Sequence, residues 1–443
     1  MKRTLIVSLA VSLISFAGFS QNIDKAKLDA YFDALSSNNK FMGSVAIAQG
    51  DSVIYSKSVG FSDVVWQNLK ANENSKYRIG SISKTFTAVL ILKAVEENKL
   101  SLSQSIDQWF PTIGNADKIT IEHLLRHRSG LHNHLDEEYV KSNRHTHPIT
   151  EQEMIEIIVK GGSDFEPDTK MDYSNPNYIL LTYILEKIYE KPFSKILEEK
   201  IANPLGLKNT FMDGKINTSN GESNSYNFFN NNWELAPELD VFQAVGAGAI
   251  TSTPIELLTF SHALFSGKLI SESSLTQMKT MQDGYGMGVF QMPFYDEKTF
   301  GHNGAIDGFS SLFGYFPDSK ISFAIISNGI NNFNSNDVAI AVLSAAYDKP
   351  FEIPEFTTVE LTEEELEKYL GVYSSKQLPL KMTITKSNNQ LFGQGTGQPS
   401  FPLEATAKDK FEFKSASVVL EFNTTDKTMI LKQGGGAFNF ERE

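Results

Sequence analysis

Phe86, Ala88, Val89, Leu90, Ile91, Leu92, Ala94 and Val95 are apolar, and only Thr87 and Lys93 interrupt them. At helical pitch these side chains point in every direction, so a helix from Ser81 to about Leu100 has no face to offer water and is buried inside a domain. The flanking segments supply what covers it. Phe41–Ala48 and Ser52–Val59 are β-rich runs joined at Gln49-Gly50-Asp51, a hairpin pattern. Helical windows follow at Ile121–His127, Thr150–Lys160, Tyr178–Tyr189 and Phe193–Ala202, the last expected to stop at Pro204. Strands return at Phe309–Phe316 and Ile321–Ser327, with a helix over Asn336–Tyr347. If the strands at the two ends share one sheet, the helical middle forms a lobe beside it, with a cleft between them.

At Asp348-Lys349-Pro350-Phe351-Glu352-Ile353-Pro354 the composition changes. A short acidic helix (Thr362–Tyr369) precedes residues that alternate with period two: Leu380, Met382 and Ile384; Phe411 and Phe413; Val418, Leu420 and Phe422; Phe438 and Phe440. Turn residues at Ser387-Asn388-Asn389, Thr425-Asp426-Lys427 and Gly434-Gly435-Gly436 separate them, so a small antiparallel barrel or sandwich is predicted. At the other end, Met1-Lys2-Arg3 precedes an apolar run over Leu5–Phe19 that is short for a bilayer, the layout of a cleaved secretory leader. The expected organisation is a leader at 1–20, a main domain at 21–350 and a barrel at 356–443, in an exported protein, periplasmic or secreted, with no later membrane span. A net charge of −13 argues against nucleic acid as a partner, and zero cysteines exclude a thiol nucleophile or Cys-based metal site.

Gly80-Ser81-Ile82-Ser83-Lys84 opens the buried helix. Residues three apart share a helix face, so Ser81 and Lys84 point the same way. Free N–H groups at the helix start favour developing negative charge beside Ser81, and a partly buried lysine there loses its proton more readily than usual. A deprotonated amine beside a hydroxyl is an activated serine nucleophile. Two further elements follow: Phe165–Asn175, in which Tyr173, Ser174 and Asn175 cluster in a loop before a helix, and Phe300-Gly301-His302-Asn303-Gly304-Ala305, small residues expected to lie before a strand.

Together with the segments at 119–131 and 203–210, this order of elements resembles the serine β-lactamase and penicillin-binding-protein superfamily, in its class C-like branch. That branch also holds D-alanyl-D-alanine carboxypeptidases, D-aminopeptidases and esterases. The resemblance spans about residues 30–345. It implies an α/β (α+β) fold, an antiparallel sheet flanked by helices with a helical lobe beside it; the C-terminal part is similar to the lipocalin-like domain of some members. By the same resemblance, Ser81 is the acylated nucleophile, Lys84 its proton partner and Tyr173 the general base and later acid. Asn175 orients the substrate amide, and the N–H groups of Ser81 and Ala305 form the oxyanion hole, with Gly304 leaving room for the approach. The third motif departs from the common Lys-Thr-Gly: His302 replaces a fixed cation that holds a substrate carboxylate. The expectation is a preference for small esters or D-aminoacyl amides over β-lactams, shifting toward carboxylates as His302 protonates near pH 6.5.

Six of the eight histidines (His123, His127, His132, His134, His145, His147) crowd one segment, but His-Glu-x-x-His is absent, so no metal and no other cofactor is assigned. Three readings remain beside the ester and amide hydrolase: a β-lactamase or D-alanyl-D-alanine carboxypeptidase, a non-catalytic binder of cell-wall fragments, and a metal-dependent hydrolase. The partner is a small-molecule or peptide-like substrate, and the sequence leaves the oligomeric state open.

Overall fold

Both faces of Phe41–Gln49 are apolar, so this strand is covered on both sides. The computed structural model describes residues 23–65, 68–135, 146–229, 232–356, 359, 361–387 and 389–443; the expected leader lies outside them. A six-stranded antiparallel sheet takes β1 (Phe41–Gln49), β2 (Ser52–Val59), β3 (Phe290–Phe294), β4 (Glu297–Ile306), β5 (Phe309–Phe316) and β6 (Ile321–Ile330) in the spatial order β2-β1-β6-β5-β4-β3. Val45 and Ile47 share a core with Leu28, Phe32 and Leu35 of α1 (Lys25–Ser37) and Val338 and Val342 of the helix Ser335–Ala346. Ala46 and Ala48 face the opposite core, which holds α2 (Ser83–Glu96) and the helix Pro254–Phe265, where Phe86 stacks on Phe260 at 3.7 Å. The hairpin at Gly50 and the burial of α2 on all sides are as read from the sequence: Ser83 through Leu92 are all buried.

One expectation fails and one is incomplete. Phe193–Ala202 does not stop at Pro204: an α-turn (Phe193–Leu197) passes into a π-helical turn (Glu198–Ala202) and a last helical turn, Asn203–Leu205. The proline sits in the first turn of that last segment, where its missing N–H costs little. The segment Phe300–Ala305 does lie before a strand, β5, but it is itself strand, part of β4 and paired along its length with β5.

Residues 371–442 form a closed eight-stranded antiparallel barrel, sealed where Tyr373 pairs with Arg442 and Ser374 with Glu441. Its interior is filled by its own alternating side chains, with Tyr369, Phe411 and Phe422 in ring contact at 4.8–5.6 Å. The barrel meets the main domain at Lys40, which is 4% exposed and reaches both Glu404 oxygens at 2.5 and 2.6 Å. Burial pulls the Lys40 pKa below its usual value despite the carboxylate beside it. Glu404→Gln therefore strands a buried ammonium, and a loss of about 3 kcal/mol is expected in chemical denaturation. The double variant Lys40→Met, Glu404→Leu should recover most of it; equal stability of Glu404→Gln and wild type would show that water reaches the pair.

Candidate active site

Two glycines bring the start of the buried helix against a strand. Gly80 has φ +52, and a Cβ there would lie 2.7 Å from the Ala305 nitrogen; a Cβ on Gly304 would lie 2.1 Å from the Ile79 oxygen and 2.9 Å from the Ser81 nitrogen. The pairs along a two-residue hairpin alternate between hydrogen-bonded and non-hydrogen-bonded. Ile306↔Phe309 closes the hairpin, so Ala305 directs its N–H away from β5, on the side where β3 has ended at its Gly301 pairing. The amides of Ser81 and Ala305 thus come close beside the Ser81 hydroxyl.

Lys84, one turn into the helix, is fully buried. Its Nζ lies 3.0 Å from Ser81 Oγ, 2.8 Å from Asn175 Oδ1 and 2.7 Å from the Ala247 carbonyl. Burial drives its pKa well below the usual lysine value. Asn175 opens the helix α3 (Asn175–Tyr189), with Pro176 in its first turn. Asn133 Oδ1 accepts both the Asn175 backbone N–H and Nδ2 at 3.2 Å, which turns Asn175 Oδ1 toward the amine. The Tyr173 ring stands 4.9 Å from Lys84 Nζ, and its hydroxyl hydrogen-bonds with Ser81. Its pKa is raised by burial, which outweighs the Ser81 hydrogen bond, whereas burial lowers that of Lys84, so of the two Lys84, rather than the Tyr173 expected as base, more readily stands unprotonated.

Ser81, Lys84, Tyr173 and Asn175 therefore meet, with Gly304 and Ala305 at their side; His302 stands next to them, its ring 6.3 Å from that of Tyr173, but turned into the protein. It is 1% exposed, with Nε2 3.0 Å from the Tyr285 hydroxyl, Nδ1 2.5 Å from the Asn303 carbonyl and Phe290 against its ring. Burial lowers its pKa to about 3, helped by Lys84, so the expected protonation near pH 6.5 is corrected: no water reaches the imidazole to stabilise its cation.

The histidine-rich segment disperses as well. His123 caps its own helix at Thr120, and His127 lies beyond that helix, which ends at Leu125. His132 sits 3.1 Å from Asp164, and His145 falls outside the described residues. Among the described residues no three His, Asp or Glu side chains gather as a metal site.

A cavity of about 390 Å³ opens over Ser81, lined by Asn175, Ala247, Gly248, Ala305 and Ile306 and walled by Leu135, Ala236, Pro237, Leu239 and Ala244. Among the described residues lining it there is no Lys, Arg or His, and the charged side chain is Asp307. Asp307 accepts from Arg78 at 3.1 Å and from the Leu239 N–H at 2.8 Å, and burial pushes its pKa up to about 6. Sequence reasoning missed the Ala247 carbonyl, Asn133 and the Arg78–Asp307 pair. A backbone acceptor has no signature in the sequence, and Asn133 was hidden between two histidines.

The two-sided sheet, the buried lysine within reach of a serine at a helix start and the paired amides define a serine acyl hydrolase with a β-lactamase fold. The chain belongs to the Beta-lactamase family, whose model matches residues 28–347. Penicillin-binding protein 4* of Bacillus subtilis is 24% identical over 92% of this chain and 96% of its own length. Teichoic acid D-alanine hydrolase of Staphylococcus aureus is 25% identical over 71% of this chain and 75% of its own. In fold the chain is similar to D-amino acid amidase from Ochrobactrum anthropi, with a TM-score of 0.64 at 24% identity, covering 73% of this chain and 98% of that one.

Proposed function

We propose that this protein hydrolyses small esters or D-aminoacyl amides that carry no free carboxylate, through an acyl-enzyme on Ser81. The carrying observation is the hydrogen-bond set of Lys84. A neutral amine has two N–H bonds and one lone pair; Asn175 Oδ1 and the Ala247 carbonyl accept the two, leaving the lone pair for the Ser81 hydroxyl. As Ser81 Oγ attacks the substrate carbonyl, its proton passes to Lys84 and the negative charge on the carbonyl oxygen meets the Ser81 and Ala305 N–H groups. Tyr173, held protonated by burial and bonded to Ser81, donates its proton to the departing alcohol or amine and regains one from Lys84. Water then attacks the acyl-enzyme by the same steps reversed, releasing the acid.

The substrate class follows from the cavity, which presents apolar walls and Asp307 but no cation for a carboxylate. The relatives named as a teichoic acid D-alanine hydrolase and a D-amino acid amidase support the same class. The leader pattern at residues 1–20 supports export, and the barrel is assigned a packing role because no described cavity-lining residue comes from it. The test is a panel of p-nitrophenyl acetate, D-alanine p-nitroanilide and nitrocefin. The ester or the amide is expected to exceed nitrocefin in kcat/KM by at least about 100-fold, the worth of a missing charge partner. Fast nitrocefin turnover would return the protein to the β-lactamases, and no turnover of any of the three, with no adduct on Ser81, would favour a binding protein.

A further inference from the structure

Tyr173 is fixed by a residue that touches none of the reacting atoms. His127 is fully buried and has φ +55. Its carbonyl accepts the Asp172 N–H at 2.9 Å and its Nδ1 accepts the Ser174 N–H at 3.2 Å, so both neighbours of Tyr173 are tied to this one residue. The imidazole also lies against the phenol, 4.2 Å between ring centroids at 33°. A backbone N–H can only donate, so Nδ1 carries no proton and the ring is neutral with its proton on Nε2. Asn177 shares that acceptor: its Nδ2 lies 3.0 Å from Nδ1, while its Oδ1 accepts the Ser129 hydroxyl at 2.5 Å, which sets the way the amide faces.

We propose that His127 is a positioning residue, whose Nδ1 acceptor and ring together hold the Tyr173 hydroxyl at Ser81 and Asn175 at Lys84. This rests on the reading of Ser81 as nucleophile. The contrasting role is packing alone, and the two make opposite demands on the side chain. In His127→Asn the amide oxygen falls where Nδ1 stood, and asparagine adopts a left-handed backbone readily. In His127→Gln the amide falls at the Nε2 position, and in His127→Phe the ring shape is kept; both lack the acceptor and leave the Ser174 and Asn177 donors unpaired.

The experiment uses the full chain and its variants His127→Asn, His127→Gln and His127→Phe. It measures the labelling rate of Ser81 by a fluorescent phosphonate, kcat and KM for p-nitrophenyl acetate, and thermal unfolding. Because a displacement of about 1 Å at a reacting group costs about 100-fold, His127→Gln and His127→Phe should lower labelling and kcat by about that factor with KM little changed. His127→Asn should stay within about tenfold of wild type, about 1.4 kcal/mol. Should His127→Phe fail to fold, the His127→Asn and His127→Gln pair, one methylene apart, decides alone. If His127→Gln or His127→Phe labels as fast as His127→Asn, the positioning role is overturned and the Ser81 reading stays intact. A wild-type protein that takes no label on Ser81 removes both.

Discussion

Ser81→Ala is expected to lower kcat/KM for the preferred ester or amide by about 10⁵-fold or more, the scale seen when a nucleophile is removed from a serine hydrolase. It should also abolish the single phosphonate adduct in intact-mass spectrometry. The change should leave the melting temperature within a few degrees of wild type. The Ser81 hydroxyl borders the cavity and its partners are the side chains of Lys84 and Tyr173 rather than backbone groups, and alanine fits the short helical turn Gly80–Ile82 as well as serine does. The loss is therefore chemical. An adduct that persists in the alanine variant sinks the assignment.

Lys84→Met and Tyr173→Phe should each cost about 4 kcal/mol in transition-state stabilisation, and the double variant little more, because the two groups pass one proton. Two small, additive losses would dissolve the pair. The pH dependence carries a sign. Since burial depresses the Lys84 pKa, kcat/KM should climb with pH through that depressed value and then stay level, with no inflection near 6.5 from His302. Stability should follow the same direction. Between the depressed folded value and the ordinary lysine value of about 10.4, the folded chain binds fewer protons at Lys84 than the unfolded chain, so Lys84 makes unfolding easier at the acid end of that window. In Lys84→Met this slope should flatten in denaturant titrations taken across pH.

What the sequence made legible were the features written in side-chain chemistry. The all-round apolar helix, the Gly50 hairpin and the alternating barrel strands each follow from where apolar residues recur. Ser81 and Lys84 could be named from a hydroxyl and an amine one helical turn apart, and Tyr173 and Asn175 from the resemblance their segment bears to a known family. Strand β4 escaped because Gly301 and Gly304 are poor strand formers, retained where another backbone comes close. His302 was misjudged for a related reason: standing where relatives carry a cation says nothing about which way a ring turns, and here Tyr285 and the Asn303 carbonyl turn it inward. The Ala247 carbonyl was beyond reach, since every residue has one and only the fold aims it.

Strand β4 has one further consequence. An open sheet edge ordinarily invites a second chain to pair with it, the first step toward aggregation. Here β3 covers β4 as far as Gly301 and the chain turns back after Ile306, so five residues, His302 to Ile306, keep an uncovered side. Part of that stretch is pressed against the turn that carries Ser81, as the Gly80 and Gly304 contacts require. The opening beside the Ala305 amide, the proposed place of a substrate oxygen, thus admits a small molecule yet is too short to template a neighbour's strand.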